Sequence, residues 1–446
     1  MKAGAIAAVA LLGLLALAPA AAAGALSASP VTPITAAGPL SRSVKVLVLK
    51  YFPVTADGKT LDRNVTGDVG DALATVRSRV SAMTTSVAAG LMEGSRYRGY
   101  ADPAAPADLT FEVVDTKEFL TAVPAIPSTF QPAYLIRPDY ATILNSIDIC
   151  SYVRDQGVGQ VWIWAYNGAH ALDISESKMS GPYGDVSNSR RLNDMPACGR
   201  TYTVFTYNYG RGTAEAIHDH GHQLEAELTE VDAHLFGDLF VGTVAHPGGV
   251  ATGRCGSVHN PPNARFEYDY VDAAANASDC LNWTPDGLGA VTPLSCTAWG
   301  CVDKSDTDNA QRNWLVWWMQ NLPGRGNQIT FQGRALVNWW DAYYDFDAVM
   351  GSCRTLVSPC VPALISGTTR ASGLTTARSG DSGALEGGAA MAIPAESSTG
   401  LTQPGAAASG SPDDADPAGA ASRWLLGGAL AILLISMLGR ATRRRH

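Results

Sequence analysis

Tyr202-Thr-Val-Phe-Thr-Tyr-Asn-Tyr-Gly-Arg-Gly-Thr-Ala-Glu-Ala-Ile-His-Asp-His-Gly-His-Gln-Leu-Glu225 changes its hydrophobic period halfway along, and that change decides the fold. From Tyr202 to Tyr207 the residues are continuously aromatic or β-branched, the pattern of a strand covered on both faces. Asn208 to Gly212 reads as a turn. From about Thr213 the period becomes helical. At about 100° per residue, Glu215, His218, His222 and Glu225 fall within roughly 80° of one another, and His220 points the other way.

Three runs upstream share the strand character: Val44-Lys-Val-Leu-Val-Leu49, Leu109-Thr-Phe-Glu-Val-Val114 and Gln160-Val-Trp-Ile-Trp-Ala165. Helical stretches from Gly67 to Met92 and from Tyr140 to Asp155 separate them. Strands that are nearly continuous in hydrophobicity and alternate with helices predict an α/β fold, a mainly parallel sheet flanked by helices. Ligands of such sheets usually sit at the carboxyl ends of the strands. Here those ends are Tyr166-Asn-Gly168 and Asn208-Tyr-Gly-Arg211. The second leads into the histidine helix, so a cleft is expected at the C-terminal edge of the sheet.

Beyond Val231 the pattern changes. Cys255-Gly-Ser-Val-His-Asn-Pro-Pro-Asn263 and the stretch from Cys280 to Cys301 are rich in Pro, Asn, Asp and Gly, which predicts a disulfide-tied irregular C-terminal region. A helix is expected over Asn309 to Asn321, with its tryptophans turned into that region. The chain has eight cysteines, all between Cys150 and Cys360. An even count in an exported segment favours disulfides over thiol chemistry, and no Cys-x-x-Cys occurs. Cys296 with Cys301 and Cys353 with Cys360 are close enough for local loops, but sequence does not give the pairing.

The ends are of a different kind. Met1-Lys2, an apolar run and small residues up to Ala23 describe a secretory signal peptide over residues 1–23. Residues 41–362 are then an α/β ectodomain, and 363–422 a low-complexity stalk of Ala, Gly, Ser, Thr and Pro, too poor in large apolar groups to offset its ordering entropy. Residues 423–446 read as a transmembrane segment with a basic tail, whose arginines place the C-terminus in the cytoplasm and the ectodomain at the cell surface. The net charge of -9 argues against a nucleic-acid partner.

Two imidazoles at i and i+4 with a carboxylate three residues on is an arrangement that holds a divalent metal, with zinc the natural candidate. His218 and His222 would be ligands, with Glu225, His259 or Glu176 as the third. Asp219 lies off the stripe, so Glu215 or Glu176 fits better as general base, and Arg211 is a candidate clamp for an anionic group. The bland alternative is a polar helix face hydrogen-bonded to the irregular region above it. Paired acids such as Glu176, Glu215 and Glu225 beside tryptophan and tyrosine would also suit a glycoside hydrolase. No Gly-x-Ser-x-Gly turn supports a nucleophilic triad.

Four segments taken together resemble a family of exported bacterial proteins over residues 44–345. They are Glu176-Ser-Lys-Met-Ser-Gly-Pro182, Phe205-Thr-Tyr-Asn-Tyr-Gly-Arg-Gly212, Gly221-His-Gln-Leu-Glu225 and Cys255 to Asn263. The resemblance implies that Glu176, Asn208, Arg211, Glu215, His222, Glu225 and His259 are the polar residues of one cleft. The family often has Glu where this chain has His218. It implies the position of a site and not its reaction. The sequence-level expectation is thus a membrane-tethered extracellular protein, a metal-dependent hydrolase acting on peptide or glycan. The competing class is a non-catalytic module binding glycan or protein through a Trp- and Tyr-rich face.

Overall fold

The computed structural model describes residues 42–127, 136–168, 176–188, 194–242, 254–352 and 354–358, with Glu176 described in its backbone only. Its centre is a five-stranded mixed sheet. The strands are β1 (Arg42–Tyr51), β2 (Leu109–Phe119), β3 (Gln160–Ala165), β4 (Glu176–Ser180) and β5 (Tyr202–Asn208), in the order β2-β1-β3-β5-β4. The first four strands of that row are mutually parallel, and β4 closes the edge antiparallel to β5. Every residue of β3 and β5 is buried. That is why neither carries a charged residue or alternates polar with apolar: each face of the sheet is covered.

The covers are helical. On one face lie α1 (Leu73–Gly94) and α4 (Thr213–Ala233), with α5 (Thr307–Met319) packed across both as an outer layer. Gly90 on α1 lets α4 come close, because a Cβ there would stand 2.6 Å from Ile217 Cδ1. The other face is covered by α2 (Tyr140–Asn145) and α3 (Ile149–Asp155), where the Tyr140 hydroxyl meets Thr206 Oγ1 of β5 at 3.0 Å. The expected single helix from Tyr140 to Asp155 is therefore two, broken where Asp148 adopts φ 52°. The expected helix from Gly67 starts later, at Leu73, after a short separate turn at Arg63–Thr66.

The irregular region carries two disulfides, Cys255–Cys280 and Cys296–Cys301, and a third, Cys150–Cys198, ties α3 to the approach to β5. Cys353 and Cys360 lie outside the described residues, as do the expected signal peptide, stalk and C-terminal apolar segment. Among the described residues no helix is long and apolar enough to cross a membrane. The tryptophans of α5 and its surroundings, Trp314, Trp317, Trp318, Trp339 and Trp340, are all buried. They are core, not an exposed binding face.

Candidate metal centre

Helix α4 has two polar faces, and they do different work. Ala214, Ile217, His220, Leu224 and Leu228 are buried, and His220 packs against Phe205, Tyr207 and Trp162 of the sheet. The two nitrogens of His220 are taken by the hydroxyls of Tyr207 at 2.6 Å and Tyr343 at 2.5 Å. Burial holds His220 well below its ordinary pKa, so this ring is a neutral core strut. The stripe on the other side of the helix faces α5 and the irregular region instead.

There the side chains of His218 and His222 converge with His259, which comes from the loop after Cys255. The three Nε2 atoms form a triangle: 2.9 Å from His218 to His222, 3.0 Å from His222 to His259 and 3.0 Å from His259 to His218. The His218 and His259 rings are stacked at an interplanar angle of 19°, and His222 stands edge-on to both. Four-coordinate zinc with Zn–N bonds of about 2.0–2.1 Å would hold its nitrogens roughly 3.3 Å apart, so the triangle needs only a few tenths of an ångström of expansion. Burial, and then the like charges of His222, His259 and Arg211, keep His218 well below its ordinary pKa. Its lone pair is free of a proton at neutral pH.

His259 is held in place from four directions. Glu225 Oε1 accepts the Val258 N–H at 2.8 Å, and the indoles of Trp314 and Trp318 donate to the carbonyls of Val258 at 3.0 Å and Gly256 at 3.2 Å. The Cys255–Cys280 bond anchors the start of the loop. Gly221 permits the approach, since a Cβ there would lie 2.7 Å from Val258 Cγ2. Gly256 has φ 74°, and a Cβ would meet the Asn260 carbonyl at 2.1 Å, so the turn itself requires glycine.

Glu225, read from sequence as a ligand, has both oxygens engaged elsewhere. Oε2 accepts from His222 Nδ1 at 2.9 Å while Oε1 holds the Val258 amide. A carboxylate on the far nitrogen of an imidazole fixes its tautomer and orientation and raises its basicity, which is the supporting arrangement seen behind metal-bound histidines. The side-chain amide of Gln311, on α5, lies 2.9 Å from His218 Nδ1 and serves that ring in the same way when its oxygen is turned to the N–H. Nothing in the local sequence around Gln311 signals this partnership.

Arg211, in the turn between β5 and α4, pairs with Glu215 in the first turn of α4. Arg211 stands close enough to contribute to the His218 field. Asp219 is buried on another side of the helix. Asn208 sits at the strand end, where its Oδ1 accepts the Gly210 N–H at 2.8 Å, closing the turn. The backbone of Glu176 pairs with Thr206 at the open end of edge strand β4, and its side chain lies outside the described atoms. The histidines therefore do not line the strand ends, as the fold rule predicts. They lie further along α4 on its outward face, since His218 is five residues and roughly 8 Å beyond Thr213 at 1.5 Å per residue.

The fold and site together define an α/β protein with a three-histidine cluster clamped between a sheet-covering helix and a disulfide-tied loop. No protein-family model, curated protein or solved structure matches the chain.

Proposed function

We propose that the protein is an exported, membrane-tethered hydrolase whose divalent metal, zinc in the first instance, is held by His218, His222 and His259. Its substrate is a peptide or glycan at the cell surface. The observation that carries this reading is the mutual approach of the three Nε2 atoms at 2.9–3.0 Å. Each Nε2 has one in-plane lobe, holding either a proton or a lone pair. Three such lobes facing one another cannot all be satisfied in pairs, whereas one cation takes all three lone pairs at once.

A zinc ion held by these three histidines would supply an activated water, its pKa lowered towards ~7. Glu215, one turn before His218, or Glu176 would accept the proton of that water. Arg211 would hold an anionic group of the substrate. Glu225 is assigned to hold His222 and the His259 loop, not the ion.

The test uses the full-length chain, stripped with chelator, dialysed against Zn2+ and analysed for metal. About one ion per chain is expected. His259→Ala should lower the affinity by at least ~10-fold, since a ligand counts for no less than its supporting partner. Hydrolysis of surface peptides or glycans should disappear with the metal and return with it. A wild-type chain holding no more zinc than a His218→Ala/His222→Ala double variant would end the proposal.

A further inference from the structure

Tyr268 is out of place on both backbone and side-chain grounds. Its φ is 66°, in the left-handed region where a bulky residue is strained. Its side chain is large and aromatic, yet the residue is 42% exposed. Neither packing into the core nor turn chemistry accounts for a tyrosine at this position; a glycine or asparagine would take the same φ without strain. The position of the ring relative to the histidines does account for it. It lies 4.4 Å from the ring of His259, and 6.1 Å from that of His218 with an interplanar angle of 20°. Its backbone N–H donates to the His259 carbonyl at 2.9 Å, which locks the ring's base to the third histidine. Phe266, 55% exposed, stands two residues before it. The segment between them is steadied by Arg265, whose guanidinium pairs with Asp269 at 2.8 Å and Asp272 at 3.0 Å.

We propose that Tyr268 is a substrate-contacting residue, and that its ring forms one wall of the position open to ligands beside the three histidines. The inference rests on the metal reading above and extends it to the class of molecule admitted: one that presents a flat face, aromatic or pyranose, next to the group that meets the metal. Offset stacking of that face on a tyrosine ring is the recognition chemistry. Strain at φ 66° is tolerated because this backbone conformation carries the ring over the imidazoles. Gln311 and Glu225 sit behind the histidines; among the described residues, Tyr268 is the aromatic group in contact with the cluster that also reaches solvent.

The experiment uses the full-length chain loaded with Co2+, whose visible spectrum reports on both the metal and any added ligand. Two probes are titrated, acetohydroxamate and benzohydroxamate, which share a metal-binding group and differ in the flat ring. Wild type should favour benzohydroxamate over acetohydroxamate by about 3- to 10-fold more than Tyr268→Ala does, the size of one aromatic pair. Tyr268→Phe keeps the ring and should keep the preference. An equal ratio of the two affinities in wild type and Tyr268→Ala, with cobalt bound to both, overturns the assignment of Tyr268 alone. Absence of a cobalt spectrum in wild type overturns the metal reading on which it stands. A ratio lost in Tyr268→Phe as well as in Tyr268→Ala assigns the contact to the hydroxyl and overturns the stacking proposal.

Discussion

Glu227, two residues beyond Glu225, is buried in the core of the protein and not part of the three-histidine cluster. One oxygen accepts from Gln223 at 2.9 Å, and Oε2 has no partner among the described residues. Burial raises its carboxyl from an ordinary 4.5 to about 8. The native state therefore keeps this proton between about pH 4.5 and 8 while the unfolded chain releases it. Native protein binds more protons in that window, so stability falls as pH rises through it and levels off above. Glu227→Gln preserves shape and acceptor but has no proton to lose. Its melting temperature should exceed that of wild type by a margin that widens from pH 5 to pH 8. A margin that stays flat across this range would show that the carboxyl does not titrate as its burial dictates. Glu225, by contrast, acts through His222. Glu225→Gln should leave the fold intact and weaken zinc binding by about 10- to 100-fold, read by competition with a chromogenic chelator. The stripe that contains Glu225, and with it the i,i+3 reach of its carboxylate to His222 Nδ1, is legible because period 3.6 is a local property; the second bond, to the Val258 amide, is not, because it depends on a loop 33 residues away.

Helix α4 as an element shows how local propensity and tertiary contact compete. Gly221 lies in mid-helix, where alanine is the better helix former by about 1 kcal/mol, so a purely local argument expects Gly221→Ala to stabilise. The added Cβ would stand 2.7 Å from Val258 Cγ2, and the loop that presents His259 would have to move. Gly221→Ala should thus retain full helix content by circular dichroism yet bind zinc more weakly than wild type; unchanged affinity would mean that the loop yields freely. Other elements divide along the same line. β1, β3 and β5 are readable because burial on both faces favours consecutive large apolar side chains, such as Val46 to Leu49 in β1 and Val161 to Trp164 in β3. β4 is not among the strands the sequence predicts, since its central residue is Lys178, a charge that the fold buries against Asp185 at 2.9 Å and Asp194 at 2.9 Å. Its signal as a strand is masked by a polar group whose partners lie further along the chain. The break between α2 and α3 has no Gly or Pro to announce it: it falls at Ser146-Ile-Asp148, where Asp148 takes a left-handed φ of 52°.

For the whole molecule, the disulfides set how far the unfolded chain can spread. Cys150 and Cys198 are 48 residues apart, and closing that loop removes chain entropy equivalent to about 4 kcal/mol; the five-residue separation of Cys296 and Cys301 gives about 2. Replacing the first pair with serine should lower the midpoint of denaturant unfolding about twice as much as replacing the second. Equal losses would indicate that the long loop is already structured when the protein unfolds. What the amino-acid sequence determined alone was everything that depends on near neighbours: the strand runs, the period change after Tyr207, and the co-facial placement of His218 and His222. Which strands adjoin, which edge strand runs backwards, and which third imidazole completes the cluster were decided only when distant segments packed. Hydrophobic periodicity says which face of an element is buried but not what buries it. The partner surface for α4, with His259, Gln311 and Tyr268 on it, exists only once the loop after Cys255 is pinned between α4 and α5.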